Sequence, residues 1–285
     1  MSQPATREVP GMTARSLSAD EYRAIHDFLE RQAGIRLGAG KEYLVLSRLG
    51  RLLPTFGLGG YADLVKRLGA IGETRLQTAV VDAMTTNETF WFRDMAHFRI
   101  LVDAILAETR PARLRIWSAA ASTGQEAYTT AICLQDAMQS GRVSRTLQYE
   151  ILGTDISPTA LAEAQGASYC GVAAGRGLSD DQRRRYFREH GGCIEVLPQY
   201  RTGISFREFN LLKPFDVLGR FDVVFCRNVL IYFSQERKRD IVARIARALN
   251  PGGHLFLGST ESMSGHEDLF EMRNIAGGLV YRKRA

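Results

Sequence analysis

Residues 115–126 read RIWSAAASTGQE, and the rest of the chain is organised around them. An apolar run at 114–117 gives way to small residues and then to Gly124. Past Gly124 a helical pattern covers 126–138, with Tyr128, Ala131, Ile132 and Gln135 at turn spacing. The order is buried strand, tight turn, helix start. Small residues at such a turn let a ligand approach the backbone, and the first free amides of the helix point toward it. Residues 151–155 (ILGTD) form a second buried strand that ends in an acid. A dinucleotide fold keeps its ribose-binding carboxylate at that place, about 20–30 residues past the turn. No GxGxxG is present, so an adenosine ligand without phosphates fits better than a pyrophosphate, and S-adenosylmethionine (SAM) is the common one. A strand, small-residue turn and helix occur in any doubly wound sheet, so the ligand reading draws on the remaining segments too.

The chain has 285 residues, which is long for one compact core and predicts two domains or one domain with an addition. Its hydrophobic share of 45% and charged share of 24% are those of an ordinary soluble protein. A net charge of +6 permits an acidic partner. No basic cluster is interleaved with aromatics. The densest basic run, Arg183 to Arg185 with Arg188, reads as a solvated helix face, so nucleic acid is not expected. Cys133, Cys170, Cys193 and Cys226 show no CxxC spacing and no metal-like His pattern. Free thiols in a reducing cytosol and no bound metal are the expectation. No signal-peptide core and no apolar stretch near the roughly 18 residues of a span occur, so we expect a cytoplasmic protein without direct membrane insertion. A monomer is the simplest expectation.

Residues 1–17 read as a flexible polar tail. Residues 18–84 read as a small helical bundle. Ser18-Ala-Asp-Glu21 is a capping box for its first helix, which Gly34 ends. A second helix is predicted over 41–53 with Lys41, Arg48 and Arg51 on one stripe, a third from Tyr61 and a fourth over 73–84. The stripe is either a solvated face or a docking surface. Residues 85–97 open with TTNETFWFRD and form a linker packed by its aromatics. There Asn87, Thr89 and Arg93 can point into one pocket beside buried rings.

From 98 to 285 helix and strand alternate, as in a parallel sheet covered on both faces. A helix is predicted over 98–109 ahead of the first strand. A glycine-rich insert of about 167–206 breaks the rhythm, with a helix at 180–188 and strand-like pieces at 193–197 and 204–206. It predicts a small antiparallel sheet. Residues 221–226 (FDVVFC) are a buried strand stopped by Arg227-Asn228, 235–249 a helix capped by Ser234, and 254–257 a strand. Strands at 270–275 and 279–282 close the chain as a hairpin.

Ligands of an open α/β sheet sit beyond the carboxyl ends of its strands. Those ends carry Ser118 to Glu126, Asp155 and Arg227-Asn228, with Asn210-Leu211 nearby. Asp155 can take a ribose diol, Asn210 can read an adenine edge, and Glu126 or Gln125 can accept from a methionine ammonium.

TTNETFWFRD, IWSAAASTGQEAY, LGTDIS, FCRNVLIYF and LNPGGHLFLGSTES resemble the chemotaxis-receptor glutamate methyltransferases, the CheR family. The resemblance covers nearly the whole chain from about Ser18. CRNVLIYF and the aromatic linker with its Asn-x-Thr are not general methyltransferase features. The fold it implies is α/β, a Rossmann-like SAM-dependent methyltransferase domain with an inserted small antiparallel β-subdomain, preceded by a small all-α domain. It further implies methyl transfer from SAM to glutamates on the cytoplasmic helices of chemoreceptors, leaving S-adenosylhomocysteine (SAH), and recruitment to receptor arrays. Asn87, Thr89, Arg93, Glu126, Asp155, Asn210, Leu211, Asn228 and Val229 are then the SAM ligands. Arg93 and Tyr232 face the reacting carboxylate. The receptor meets the basic stripe of Lys41, Arg48 and Arg51, and the β-subdomain as well. Two positions depart from the family pattern: Gln125 stands where the first Glu of a pair is usual, and Ala127 where Pro is usual. The insert is compact between Phe187 and Phe206, so no dependence on a receptor tethering peptide is expected.

A glutamate side chain has a pKa of about 4.3 and is already anionic at neutral pH, so no general base is required. Its oxygen attacks the methyl of a sulfonium in line as a neutral thioether leaves, and charge disappears along the path. The protein must therefore dry the site, orient one oxygen and hold the pair close. Arg93 suits orientation through a charge-assisted hydrogen bond. Tyr232 either lines the transfer site or is a core aromatic between Ile231 and Phe233. A function of another class, a SAM-binding interaction module with weak or no transfer, is motivated by Gln125. A small-molecule or nucleic-acid methyltransferase is disfavoured, because no NPPY-type motif occurs.

Overall fold

In a computed structural model, residues 16–263 and 265–284 are described. The tail expected over 1–17 lies, but for Ser16 and Leu17, outside the described residues. The chain divides into two units: the described residues up to Gln32 with Leu37–Met84, and Ala33–Arg36 with Thr85 onward.

The first unit is helical: α1 (Ala19–Ala33), α2 (Glu42–Leu49), α3 (Leu52–Thr55), α4 (Tyr61–Leu68) and α5 (Thr74–Met84). The capping box at Ser18 is formed, with Glu21 N donating to Ser18 Oγ at 3.2 Å and Ser18 N donating to Glu21 Oε2 at 2.7 Å. Val45, Leu49, Leu53, Leu64, Leu76 and Val80 are fully buried. The helix expected over 41–53 is two helices, interrupted at Gly50-Arg51. Pro54 has no N–H to give the Gly50 carbonyl four residues back, and its ring collides with that carbonyl in a continuous helix. The basic stripe is revised accordingly. Lys41 precedes α2, Arg51 precedes α3, and only Arg48 lies within a helix. Arg48 Nη1 donates to the Met84 carbonyl at 3.0 Å, so this arginine ties α2 to the end of α5.

In the second unit the helical stretch after the linker starts at Met95, three residues ahead of expectation, because Asp94 turns in a left-handed conformation (φ 55°) and accepts from His97 N at 3.0 Å. It comprises α6 (Met95–Arg99), a wider π turn (Ile100–Ile105) and α7 (Leu106–Thr109). The strands are β1 (Arg113–Ala119), β2 (Gln148–Asp155), β3 (Ser168–Cys170), β4 (Phe187–His190), β5 (Cys193–Val196), β6 (Ile204–Glu208), β7 (Phe221–Cys226), β8 (Leu249–Leu257), β9 (Phe270–Ile275) and β10 (Gly278–Lys283). Between them run α8 (Gln125–Gln139), α9 (Pro158–Gly166), α10 (Asp180–Tyr186) and α11 (Gln235–Ala248).

Seven strands form one sheet in the order β6-β2-β1-β7-β8-β10-β9. It is parallel from β6 to β8, and β10 runs antiparallel to both β8 and β9. From β1 the chain winds outward through β2 to β6, then returns to the other side of β1 at β7. The carboxyl ends of β1 and β7 therefore flank the switch point where such sheets bind ligands. Side chains alternate across the strand, so Ile116 and Trp117 bury into opposite cores. Phe225 sits between Phe98 and Phe256, with ring centroids 5.6 and 4.8 Å away. The closing hairpin turns at Ala276 and Gly277, both with positive φ, a turn whose twist matches the strands.

The strand-like piece at 204–206 belongs to this main sheet: it lies in β6, which pairs parallel with β2. The insert keeps its own antiparallel sheet, β3-β5-β4. Its helix stops at Tyr186 because Phe187 is extended and starts β4. The expectation of four free thiols is corrected here. The register of β3 against β5 sets Cys170 opposite Cys193, and the two are disulfide-bonded. Cys133 and Cys226 are free.

Candidate functional site

After β1 the loop curls, with Ala120 (φ 58°), Ser122 (φ 52°) and Gly124 (φ 93°) all left-handed. Gly124 is required: a Cβ there would stand 2.8 Å from the Ala164 Cβ. The curl brings the loop to Asp155, which ends β2. Asp155 Oδ2 accepts from Ser122 N at 2.7 Å and its Oδ1 accepts from Ser157 N at 2.9 Å. Ser157 in turn caps α9, its Oγ accepting from Ala160 N at 3.1 Å. The linker joins the same cluster. Asn87 Nδ2 donates to Ser157 Oγ at 3.1 Å, and Ser122 Oγ donates to the Asn87 carbonyl at 2.8 Å. Asn87 and Asp155, 68 positions apart in sequence, thus share the loop that carries residues 120–124.

The aromatics of the linker anchor it to the insert. Trp91 is 1% exposed and meets Tyr169 and Phe187 edge-on, with centroids 5.1 and 4.6 Å away. Its Nε1 donates to the Ala174 carbonyl at 2.7 Å and its backbone N to the Arg176 carbonyl at 3.1 Å. Tyr169 donates from its hydroxyl to the Thr123 carbonyl at 2.8 Å, so the insert also holds the β1 loop. Phe92 takes a left-handed conformation and donates from its N to Thr129 Oγ1 on α8. The guanidinium of Arg93, which follows, lies over the Phe90 ring at 5.2 Å. Thr89 is half-buried between these anchors.

The end of β7 supplies a connection that the sequence reading missed. The sequence places Arg227 among the polar groups at the strand ends without giving it a role; its side chain is 3% exposed and joins three segments. Nη1 donates to Glu126 Oε2 at 2.8 Å, while Nη2 donates to Asp94 Oδ2 at 2.6 Å and to the Arg93 carbonyl at 2.7 Å. Glu126 Oε1 accepts from Ser118 Oγ at 2.7 Å. A cation placed directly after the fully apolar end of FDVVFC is the signal that was available. Glu261 was missed as well. Its Oε2 accepts from Asn228 N at 2.7 Å and Gly258 N at 2.8 Å, and its Oε1 accepts from Ile231 N at 3.3 Å. It thereby fixes the turn that runs from Asn228, left-handed at φ 58°, to the half-buried Tyr232. Asn210 forms a side-chain turn, its Oδ1 accepting from Leu212 N at 2.9 Å. Leu211 is buried in the core and Val229 packs against it. Gln125 is buried, with its Oε1 accepting from Thr123 Oγ1 at 2.7 Å.

Asp94 and Glu126 pair with the buried guanidinium of Arg227, and Asp155 closes the end of β2 against the β1 loop. A surplus of carboxylates suits a ligand carrying a sulfonium and an ammonium and is unsuited to a pyrophosphate. The donor set therefore fits SAM.

Beside Arg227 lies His97, 6% exposed, with its ring 5.2 Å from that of Phe256. Burial first, and then Arg227, push its pKa down to about 4. His254 is likewise pushed down to about 4 by burial, with Arg282 and Arg273 adding to it. Both are neutral when folded and take protons when unfolded below the ordinary value of 6.5. The unfolded chain thus binds more protons, so stability is flat above about pH 6.5 and falls between there and pH 4. Each contributes a slope of up to about 1.4 kcal/mol per pH unit. Urea midpoints measured from pH 8 to 4 should show this break, and replacing His97 with Phe should soften it; a profile unchanged by that replacement contradicts the assignment.

Comparison with known proteins gives a consistent picture. Residues 87–278 match the family described as CheR methyltransferase, SAM binding domain, and residues 20–85 match CheR methyltransferase, all-alpha domain. The chain is 43% identical over 276 residues to the chemotaxis protein methyltransferase of Vibrio parahaemolyticus, covering 95% of this chain and 99% of that one. It is 41% identical over 278 residues to chemotaxis protein methyltransferase Cher2 of Pseudomonas putida, covering 96% and 100%. To the chemotaxis protein methyltransferase of Escherichia coli it is 36% identical over 281 residues, covering 95% and 93%.

Proposed function

We propose that this chain, which belongs to the CheR methyltransferase family, methylates glutamate side chains on the cytoplasmic helices of chemoreceptors. It is a SAM-dependent methyltransferase of chemotaxis. The observation that carries the finer reading is the docking of the linker onto the strand ends, Asn87 against Ser122 of the β1 loop and Ser157, and the Arg93 carbonyl against Arg227. Bound SAM supplies a methyl group on a positively charged sulfur. In our reading Asp155 takes the ribose, and Glu126, held by Ser118 and Arg227, keeps enough negative charge to receive the ammonium. Asn87, Thr89, Asn210-Leu211 and Asn228-Val229 complete the pocket. Arg93 orients the substrate carboxylate, and Tyr232 flanks the transfer path and excludes water. In our reading Gln125, bound locally to Thr123, leaves the ammonium to Glu126.

Among the described residues no helix is long and apolar enough to cross a membrane. We place the protein in the cytoplasm at receptor arrays, as a monomer with no nucleic-acid partner. The docking face we assign is narrower than the expected stripe: Lys41 and Arg51 are exposed, whereas Arg48 serves the bundle. An acidic receptor helix is the matching partner.

The test is transfer from methyl-labelled SAM to a receptor cytoplasmic fragment, with the label released by alkali as expected of an ester. Substituting the receptor glutamates should abolish it. SAH binding without any transfer would instead indicate an interaction module. In the same assay, Lys41→Glu with Arg51→Glu should raise the receptor KM at least about tenfold, or ~1.4 kcal/mol, and leave the SAH Kd unchanged. An equal loss in SAH affinity would remove these residues from the docking face.

A further inference from the structure

We propose that Arg227 is a positioning residue for methyl transfer: its buried guanidinium clamps the linker that bears Arg93 to the acid, Glu126, that receives the cofactor. The inference rests on the functional reading above and adds to it a residue that touches neither substrate nor methyl group.

Three segments distant in sequence end at this side chain. The linker offers the Asp94 carboxylate and the Arg93 carbonyl, α8 offers Glu126, and β7 delivers Arg227 itself. The Arg93 carbonyl bond matters most, because it fixes the backbone from which the Arg93 side chain projects. The residue after Arg227 is Asn228, whose amide is held by Glu261. A shift at Arg227 would therefore move the linker, the cofactor acid and the Asn228 turn together.

The geometry requires an arginine. Its two terminal nitrogens reach acceptors on opposite sides in fixed directions, one serving Glu126 and the other serving both Asp94 and the Arg93 carbonyl. Lysine keeps the positive charge but presents it at one point, and cannot span the same three groups. With the side chain 3% exposed, water cannot replace a lost contact. Charge and geometry can therefore be separated by experiment.

The experiment compares wild type, R227K and R227Q by calorimetric SAH Kd, by kcat and KM on the receptor fragment, and by thermal midpoint. R227K should lower kcat about 100-fold, the cost of misplacing reacting groups by about an ångström, while the receptor KM stays within about threefold. R227Q should in addition weaken SAH binding at least about tenfold, since Glu126 and Asp94 are left facing each other uncompensated. Asp94→Asn should lower kcat on its own, and the R227K/D94N double variant should be no slower than R227K, because both act through one clamp. If R227K does not fold, Asp94→Asn reads the same clamp from its linker end: a kcat loss with the SAH Kd within about twofold of wild type supports it, and an unchanged kcat overturns it. R227K with kcat and SAH Kd within about twofold of wild type, or losses that simply add in the double variant, would overturn the proposal. A wild type that binds SAH but transfers no methyl overturns the functional reading instead, and this role with it.

Discussion

Asp155→Ala should weaken SAM and SAH binding at least about 100-fold, or ~2.8 kcal/mol, in a protein that remains folded. The carboxylate does two jobs at once. It accepts the amides of Ser122 and Ser157, and so holds the β1 loop against the start of α9. In our reading the same carboxylate also takes the ribose hydroxyls. Hydrogen bonds to an ionised group are worth about 1.5–3 kcal/mol each, and buried donors left without an acceptor add their own desolvation cost. Both donors here are buried. The loop would then leave the left-handed course set by Ala120, Ser122 and Gly124, and the linker contact from Ser122 to Asn87 would go with it. Asp155→Asn separates the two jobs, because an amide keeps one acceptor oxygen and offers an N–H where the other stood. An intermediate loss is expected for it. Calorimetric titration with SAH, alongside circular dichroism to check folding, decides the matter. Binding by the alanine variant within about fivefold of wild type would place the ribose elsewhere.

The parts of this site that could be read from sequence are those whose signal is local. Residues 114–126 carry strand, turn and helix in a dozen positions, and ILGTD ends a buried run in an acid that has few other reasons to be there. The capping box at Ser18 and the cap at Ser234 depend on neighbours three residues away, and both form as expected. The break at Gly50 was legible but overlooked, because Pro54 acts on the carbonyl four residues before it rather than where it stands. The cysteine pair was not legible. Cys170 and Cys193 are 23 positions apart, and their meeting depends on the register of two strands in the insert. Arg227 and Glu261 escaped for a related reason. Each is an ordinary charged residue in a loop after a strand until the fold brings it to acceptors or amides at distant positions. The linker lies between these cases. Its three aromatics announced packing and set Asn87, Thr89 and Arg93 beside them, and the family resemblance supplied the role of those three. What the aromatics pack against, the insert, required the tertiary structure.

That packing makes Trp91→Ala the substitution with the largest expected effect on stability. Truncating a buried tryptophan costs about 3–5 kcal/mol through lost burial and the cavity left behind. Here the side chain also loses its bond to the Ala174 carbonyl, and Tyr169 and Phe187 lose the ring they meet edge-on. Domains of this size shift by roughly 2–4 °C per kcal/mol, so a fall in thermal midpoint of about 6–20 °C is expected. The consequence for activity should exceed the fraction unfolded. Trp91 stands between Asn87 and Arg93, and it joins the linker to the insert whose Tyr169 holds the β1 loop at Thr123. Loosening it frees both faces of the pocket at once. Trp91→Phe keeps most of the ring contact and removes only the indole donor, so it should cost about 1 kcal/mol and leave kcat near that of wild type. Calorimetric melting of both variants, with kcat measured well below each midpoint, separates the two contributions. If Trp91→Ala melted low yet turned over normally at low temperature, the seam would support stability alone, and the linker would be positioned by Arg227 and Asn87 without it.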